Sequence, residues 1–263
     1  MWNWWEVARM LNYLKGEFYK VFHRKSFYVF TGVISLLAIA TNVLSCFYGG
    51  LGQAEIFDQI LLMGLYYLVL PAYLVLLFTD WISGEESKNG TMKNAVSMGV
   101  SRSTIYISKF LVALAVSFLS AAVILLALYG SGWLLFAIGG GVSMEYVTYL
   151  LQGLMGALPL WMACVAMGIC LNSIMRSNIL AAFLSVGIIS ILELPIMFLG
   201  KIWAGFEVLK PYTIMNQLGR LSMVAYPGVE AGSIVSTAAL TGLVYLVFFF
   251  LLGLLVFRKK EIR

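Results

Sequence analysis

Polar and apolar positions along this chain separate into long blocks instead of alternating. Asp, Glu, Lys, Arg and His are absent from 26–54, 59–79, 110–144, 146–175, 177–192 and 231–257. A helix needs about 20 mostly apolar residues to cross the ~30 Å hydrocarbon layer of a bilayer. Five of these windows reach that length, and the sixth does once Glu193 and 194–200 are added. Backbone left unpaired in lipid is too costly to persist, so runs of this kind predict helices. Spans are expected at 27–47, 57–79, 110–137, 147–171, 179–199 and 234–257, with Pro71 and Pro159 bending the second and fourth. The expected fold class is an all-α membrane protein with six transmembrane helices. It forms one transmembrane domain over 1–263: an N-terminal helix in 1–26, the bundle in 27–257 and a basic tail in 258–263.

The segments outside the spans carry patterns of their own. Val7, Met10, Leu11, Leu14, Phe18, Val21 and Phe22 recur at three- and four-residue spacing, with Arg9, Lys15, Glu17, Lys20 and Arg24 mostly elsewhere around the helix. That spacing predicts an amphipathic helix in the membrane interface, with Trp2, Trp4 and Trp5 as further anchors. Between spans two and three, Asn89-Gly90 reads as a turn, Thr91 as a helix N-cap, 92–98 as a short helix and Gly99 as its stop. Such a helix suits docking on a soluble protein, or resting on the lipid surface. The glycines of 139–141 mark a turn, and 199–230 is rich in aromatic residues (Trp203, Phe206, Tyr212, Tyr226) and holds Pro211 and Pro227. That is too aromatic for an ordinary external loop and is consistent with a re-entrant pair on the outer side.

Composition and charge sharpen the picture. The chain is 62% hydrophobic and 11% charged, against about 25% charged in soluble domains. Of the 17 Lys and Arg, only Lys201, Lys210 and Arg220 fall in the loops that alternate with the basic ones. Basic residues are retained in the cytoplasm, so both termini are expected there. The net charge of +5 then reflects anchoring to anionic membrane lipid and needs no nucleic-acid partner. Cys46, Cys164 and Cys170 lack metal-ligand spacing and read as small buried apolar residues. No internal repeat supports an inverted-repeat transporter, and the start of the chain does not read as a cleaved signal.

Few residues offer chemistry. Glu193 is the one carboxylate well inside an expected span, 14 residues or about 21 Å from its start. It reads as part of a transport path, as a partner for backbone groups freed where the helix breaks at Pro195, or as a carboxylate at the headgroups. The single histidine, His23, lies among basic residues, which leaves neither an intramembrane Ser–His pair nor a metal site. Asn42, Gln59 and Gln152 read as helix-bonding residues ahead of path-lining ones.

Glu85, Glu86, Asn89-Gly90-Thr91, Val100-Ser101-Arg102 and Lys109 resemble permease subunits of type-2 ATP-binding-cassette exporters. Glu17-Phe18-Tyr19-Lys20 looks like that family's N-terminal elbow helix, and Phe257-Arg258-Lys259-Lys260-Glu261-Ile262 resembles its basic tail. The resemblance covers the whole length and looks closest to permeases of antimicrobial-peptide and lantibiotic self-protection systems, although Gly99 stands where many relatives carry Pro. It implies a cytoplasmic coupling helix between spans two and three, and re-entrant helices between spans five and six. It implies ATPase coupling through Glu17, Lys20, Glu85, Glu86, Asn89, Gly90, Thr91, Ala95, Ser101 and Arg102, and a path or gate at Glu193, Trp203 and Phe206. The chain holds no G-x-x-x-x-G-K-[ST] phosphate loop. ATP and Mg are therefore expected on a separate ATPase subunit, with no cofactor or metal on this chain. The remaining implied partners are a second permease copy or sister permease, in a bacterial plasma membrane. Alternative readings are an ATP-independent six-span secondary transporter or channel, or a non-transporting scaffold or sensor. The transporter reading expects several paired charges in the spans, where the sequence offers only Glu193.

Overall fold

The computed structural model of the chain describes residues 4–84, 97, 99–138, 141–175 and 177–259. Helix α1 (Trp4–Phe22) precedes α2 (Lys25–Gly49). The second span is built from α3 (Ala54–Tyr66), a 3-10 turn at Tyr67–Val69, α4 (Leu70–Thr79) and a π turn at Asp80–Gly84. Helix α5 (Arg102–Gly132) ends in a second π turn, Trp133–Ala137, and α6 (Met144–Ile174) follows. Then come α7 (Asn178–Ile191), α8 (Glu193–Ile202), a 3-10 segment at Ala204–Tyr212, α9 (Ile214–Arg220), a 3-10 turn at Leu221–Ala225 and α10 (Ala231–Lys259). Among the described residues there is no strand.

Five helical stretches are long and apolar enough to cross a membrane: Lys25–Gly49, Ala54–Ser83, Arg102–Ala137, Met144–Ile174 and Ala231–Lys259. A sixth exists if α7 and α8, bent by 56° at Leu192, count as one span. The span expected at 179–199 is thus broken close to Pro195, where the sequence predicts a break. Pro195 supplies the reason: its missing N–H frees the Ile191 carbonyl, the last residue of α7, so the helix cannot continue straight. Pro71 acts similarly at the start of α4, where the chain tightens into the 3-10 turn and the Leu70 N–H turns to the Tyr67 carbonyl. The Leu68 carbonyl, displaced in that turn, accepts the Trp161 indole N–H of α6 at 2.8 Å. Pro159, by contrast, lies inside an unbroken α6.

Helix α6 is the centre of the bundle, with 67% of its apolar window buried against 17% for α2. Small residues allow this: Gly153, Gly156, Ala157, Ala163, Cys164, Ala166, Gly168 and Cys170 are all buried, and small side chains let helix backbones approach closely. Its main partner is α10. A Cβ placed on Gly242 would lie 2.6 Å from the Leu160 nitrogen and the Pro159 carbonyl carbon, so the two backbones touch. Helix α2 packs on α5 through polar pairs. The Asn42 amide donates to the Leu128 carbonyl (2.7 Å) and Ser131 hydroxyl (2.8 Å), and Thr31 and Ser120 share a hydrogen bond of 2.9 Å. Gln59 is exposed and Gln152 half-buried.

The third span starts at Arg102, a full two turns before the expected 110. The charge-free window had placed Lys109 outside the span, but Lys109 is a buried residue of α5. Helix α1 corrects a second expectation. Glu17 was expected away from the apolar stripe, yet it is 2% exposed beside buried Val21, whereas Leu11 is exposed. Both differences have one cause: the two charges neutralise each other inside the protein.

Candidate functional site

One end of the bundle gathers basic residues, and four elements meet there. Ser101 caps α5, its Oγ accepting the Thr104 N–H at 3.1 Å, after Gly99 turns the chain with φ of 77°. That geometry frees Arg102 to reach across, where Nη1 donates to the Arg258 carbonyl at 3.1 Å and joins the start of α5 to the end of α10. A cation at a helix C-terminus is favoured by the carbonyls that point there.

Two turns further along α5, Lys109 is 1% exposed. Its ammonium donates to the Ile82 carbonyl at 2.8 Å and stands 3.9 Å from Glu17 Oε2. Ile82 lies in the π turn that ends span two, where carbonyls at a helix terminus lack intrahelical donors. Glu17 Oε1 accepts from half-exposed Lys20 at 2.8 Å, so one carboxylate bridges a buried and a surface ammonium. Burying an ammonium is tolerated only with such partners, and removing one partner of a buried pair costs about 3–5 kcal/mol. Phe27, Phe30, Phe78 and Trp81 brace the same corner, with ring centroids 5.5–6.0 Å apart in edge-to-face contacts. His23 Nδ1 lies 2.9 Å from the Tyr19 carbonyl, its ring stacked on Tyr19 at 3.7 Å.

Of the residues expected to couple to an ATPase, the structure brings Glu17 and Lys20 together and places Ser101 and Arg102 at the start of α5. Glu85, Glu86, Asn89, Gly90, Thr91 and Ala95 lie outside the described residues, as does the helix expected over 92–98 apart from Ser97. Sequence reasoning missed Lys109 as a site residue. Its signal was present: counting forward from the Ser101 cap puts Lys109 on the same helix face as Ile105, Val112 and Val116, all buried.

A second cluster surrounds the bend in the sixth span. Glu193, half-buried at the start of α8, accepts the Thr213 hydroxyl at 2.8 Å, and Thr213 also caps α9 through the Asn216 N–H at 3.3 Å. Glu193 therefore has a side-chain partner and is not simply a sink for freed backbone groups. Gln217 in α9 is fully buried and donates to the Pro211 carbonyl at 2.8 Å. Tyrosines on either side of the Pro71 break reach this region. Tyr66 bonds Tyr226 at 2.9 Å, and Tyr73 bonds Ser190 at 2.7 Å and lies 3.9 Å from the Met215 sulfur. Trp203 and Phe206 stack edge-to-face at 5.4 Å, with Trp203 67% exposed. A groove of about 550 Å³ runs along α2 past Lys25, Val29 and Val33.

The family described as ABC-2 family transporter protein matches residues 13–193, more than half of the 263. The chain belongs to the ABC-2 transporter family. It is accordingly a membrane permease subunit of an ABC transporter, a multi-pass transport subunit and not an enzyme in itself. Membership implies an ABC ATPase partner in general. No curated protein matches the chain significantly. The matched stretch contains the whole Glu17–Lys109 cluster and ends at Glu193, so Trp203, Phe206, α9 and α10 lie beyond it.

Proposed function

We propose that this permease is the membrane half of an ATP-driven exporter that moves an amphipathic substrate outward, a peptide antibiotic or a lipid-like molecule. It works with a second copy or a sister permease and with two separate ATPase subunits, which bind ATP and Mg. The basic end faces the cytoplasm and holds both termini, in a bacterial plasma membrane. The observation that carries this reading is the convergence at that end: α1, the close of span two, the capped start of α5 and the end of α10 are tied by Glu17, Lys109 and Arg102. The close of span two and the start of α5 bracket residues 85–98 in the sequence, and we assign the ATPase contact to that stretch. ATP binding closes the ATPase pair, the segment moves, and the spans rearrange to release substrate.

Support for a re-entrant outer segment comes from depth. A Cβ on Gly156, 12 residues into α6, would meet Leu221; at 1.5 Å per residue that is about 18 Å from the helix start. Irregular backbone at such depth is tolerated where it is buried in protein, and Ile214, Gln217, Leu218, Leu221 and Val224 are buried. Trp203 and Phe206 then lie in the outer interface and Glu193 beside the exit.

The purified chain alone is expected to show no vanadate-sensitive ATP hydrolysis, and the complex extracted from its own membranes to show it. Turnover by the clean isolated chain, or none by the complex, contradicts the proposal.

A further inference from the structure

We infer that Lys109 is the positioning residue that locks the end of span two and α1 to α5, so that these elements respond to the ATPase together. The inference rests on the exporter reading and adds a residue which that reading had placed outside the membrane. Lys109 is buried inside α5, and its ammonium holds two other elements at once. It donates to the Ile82 carbonyl at 2.8 Å, two residues before span two ends at Gly84, and it pairs with Glu17 of α1 at 3.9 Å. The end of span two is therefore fastened to α5 through Lys109. Displacement of that end of span two pulls on α5, and α1 moves with it through Glu17.

Methionine, one atom shorter and apolar, fills most of the space but removes the donor from the Ile82 carbonyl and the buried cation from Glu17. The polar tie between span two and α5 is then lost. An arginine keeps both a donor and the charge.

The test uses the full permease–ATPase complex in liposomes, with Cys46→Ala and a reporter Val229→Cys in the outer connection, which is exposed. The readout is the change in labelling rate by a membrane-impermeant maleimide when ATP, Mg and vanadate trap the ATPase. With Lys109 intact, trapping should change the rate by at least about fivefold, the scale of ordinary allosteric coupling. Lys109→Met should abolish the change while the ATPase co-purifies at the unaltered ratio, and Lys109→Arg should restore most of it. A purely structural role lowers yield without altering the response of the complexes that form.

A full response from Lys109→Met, or no rescue by arginine, overturns the inference. Should Lys109→Met fail to assemble, Glu17→Gln decides: it keeps the bond to Ile82 and should diminish the response in part, and an undiminished response overturns the proposal. If Lys109-intact complexes contain no ATPase, the exporter reading falls and takes this inference with it. If they respond and Lys109→Met responds equally, only the role of Lys109 falls.

Discussion

Gly242→Ala is a one-carbon change placed where the bundle has no room. The new Cβ would sit 2.6 Å from the Leu160 nitrogen and the Pro159 carbonyl carbon, and 2.9 Å from Pro159 Cβ. Ordinary contact begins near 3.4 Å, so α10 and α6 must part by about 0.8 Å. The obstruction is backbone, which cannot swing aside as a flexible side chain can. A gap of 0.5–1 Å forfeits a quarter to a half of each contact's attraction, at about 0.1–0.2 kcal/mol per atom pair. Over some tens of pairs along this interface the loss is roughly 1–3 kcal/mol. Gly232→Ala, on the same helix with nothing within 4 Å of its added Cβ, is the internal control. Melting of detergent-purified protein, followed by size-exclusion chromatography after heating, should fall by about 5 °C for Gly242→Ala at ~2–4 °C per kcal/mol. Gly232→Ala should melt no lower than the parent. Equal melting of Gly242→Ala and the parent would falsify the close α6–α10 contact on which the bundle is built.

Trp161→Phe retains an aromatic ring but leaves the Leu68 carbonyl at the span-two break without its indole donor. A buried unpaired carbonyl costs about 1–3 kcal/mol, so the melting temperature should drop, and an unchanged value removes the indole from the account of the break. Thr213→Val takes away both the α9 cap and the donor to Glu193. Hydrogen exchange in α9 should accelerate in Thr213→Val, and slow exchange there would show that other contacts hold the helix.

The architecture was largely legible because lipid makes a one-sided demand: runs of about 20 apolar residues have little alternative to helix. The charge-free windows therefore located five spans. They failed at the ends, since Lys109 ended one window although α5 continues back to Arg102. A charge count treats each ion as isolated, and cannot see that Glu17, 92 residues earlier, meets Lys109 in space. The same blindness put Glu17 on the polar side of α1. Proline was legible as a disturbance, and in kind only at Pro195, where a break was expected. Pro71 tightens its span, Pro195 bends its pair by 56°, and Pro159 lies in an unbroken helix against Gly242. The cluster around the bend was legible only as aromatic excess and the lone Glu193, because the Tyr66–Tyr226 and Glu193–Thr213 pairings depend on the fold-back of the chain.

The central claim is that this permease works with a separate ATPase docked at its basic end. Mild-detergent purification of the tagged chain from its own membranes, followed by mass spectrometry of what remains bound, tests it most directly. The account predicts a stoichiometric second protein that carries the phosphate loop this chain lacks, bound alongside a second permease. It also predicts that Glu85→Lys together with Glu86→Lys detaches or uncouples that protein without loss of membrane insertion. Recovery of the chain with no phosphate-loop protein, or full association and ATPase activity in the doubly reversed variant, would contradict the account.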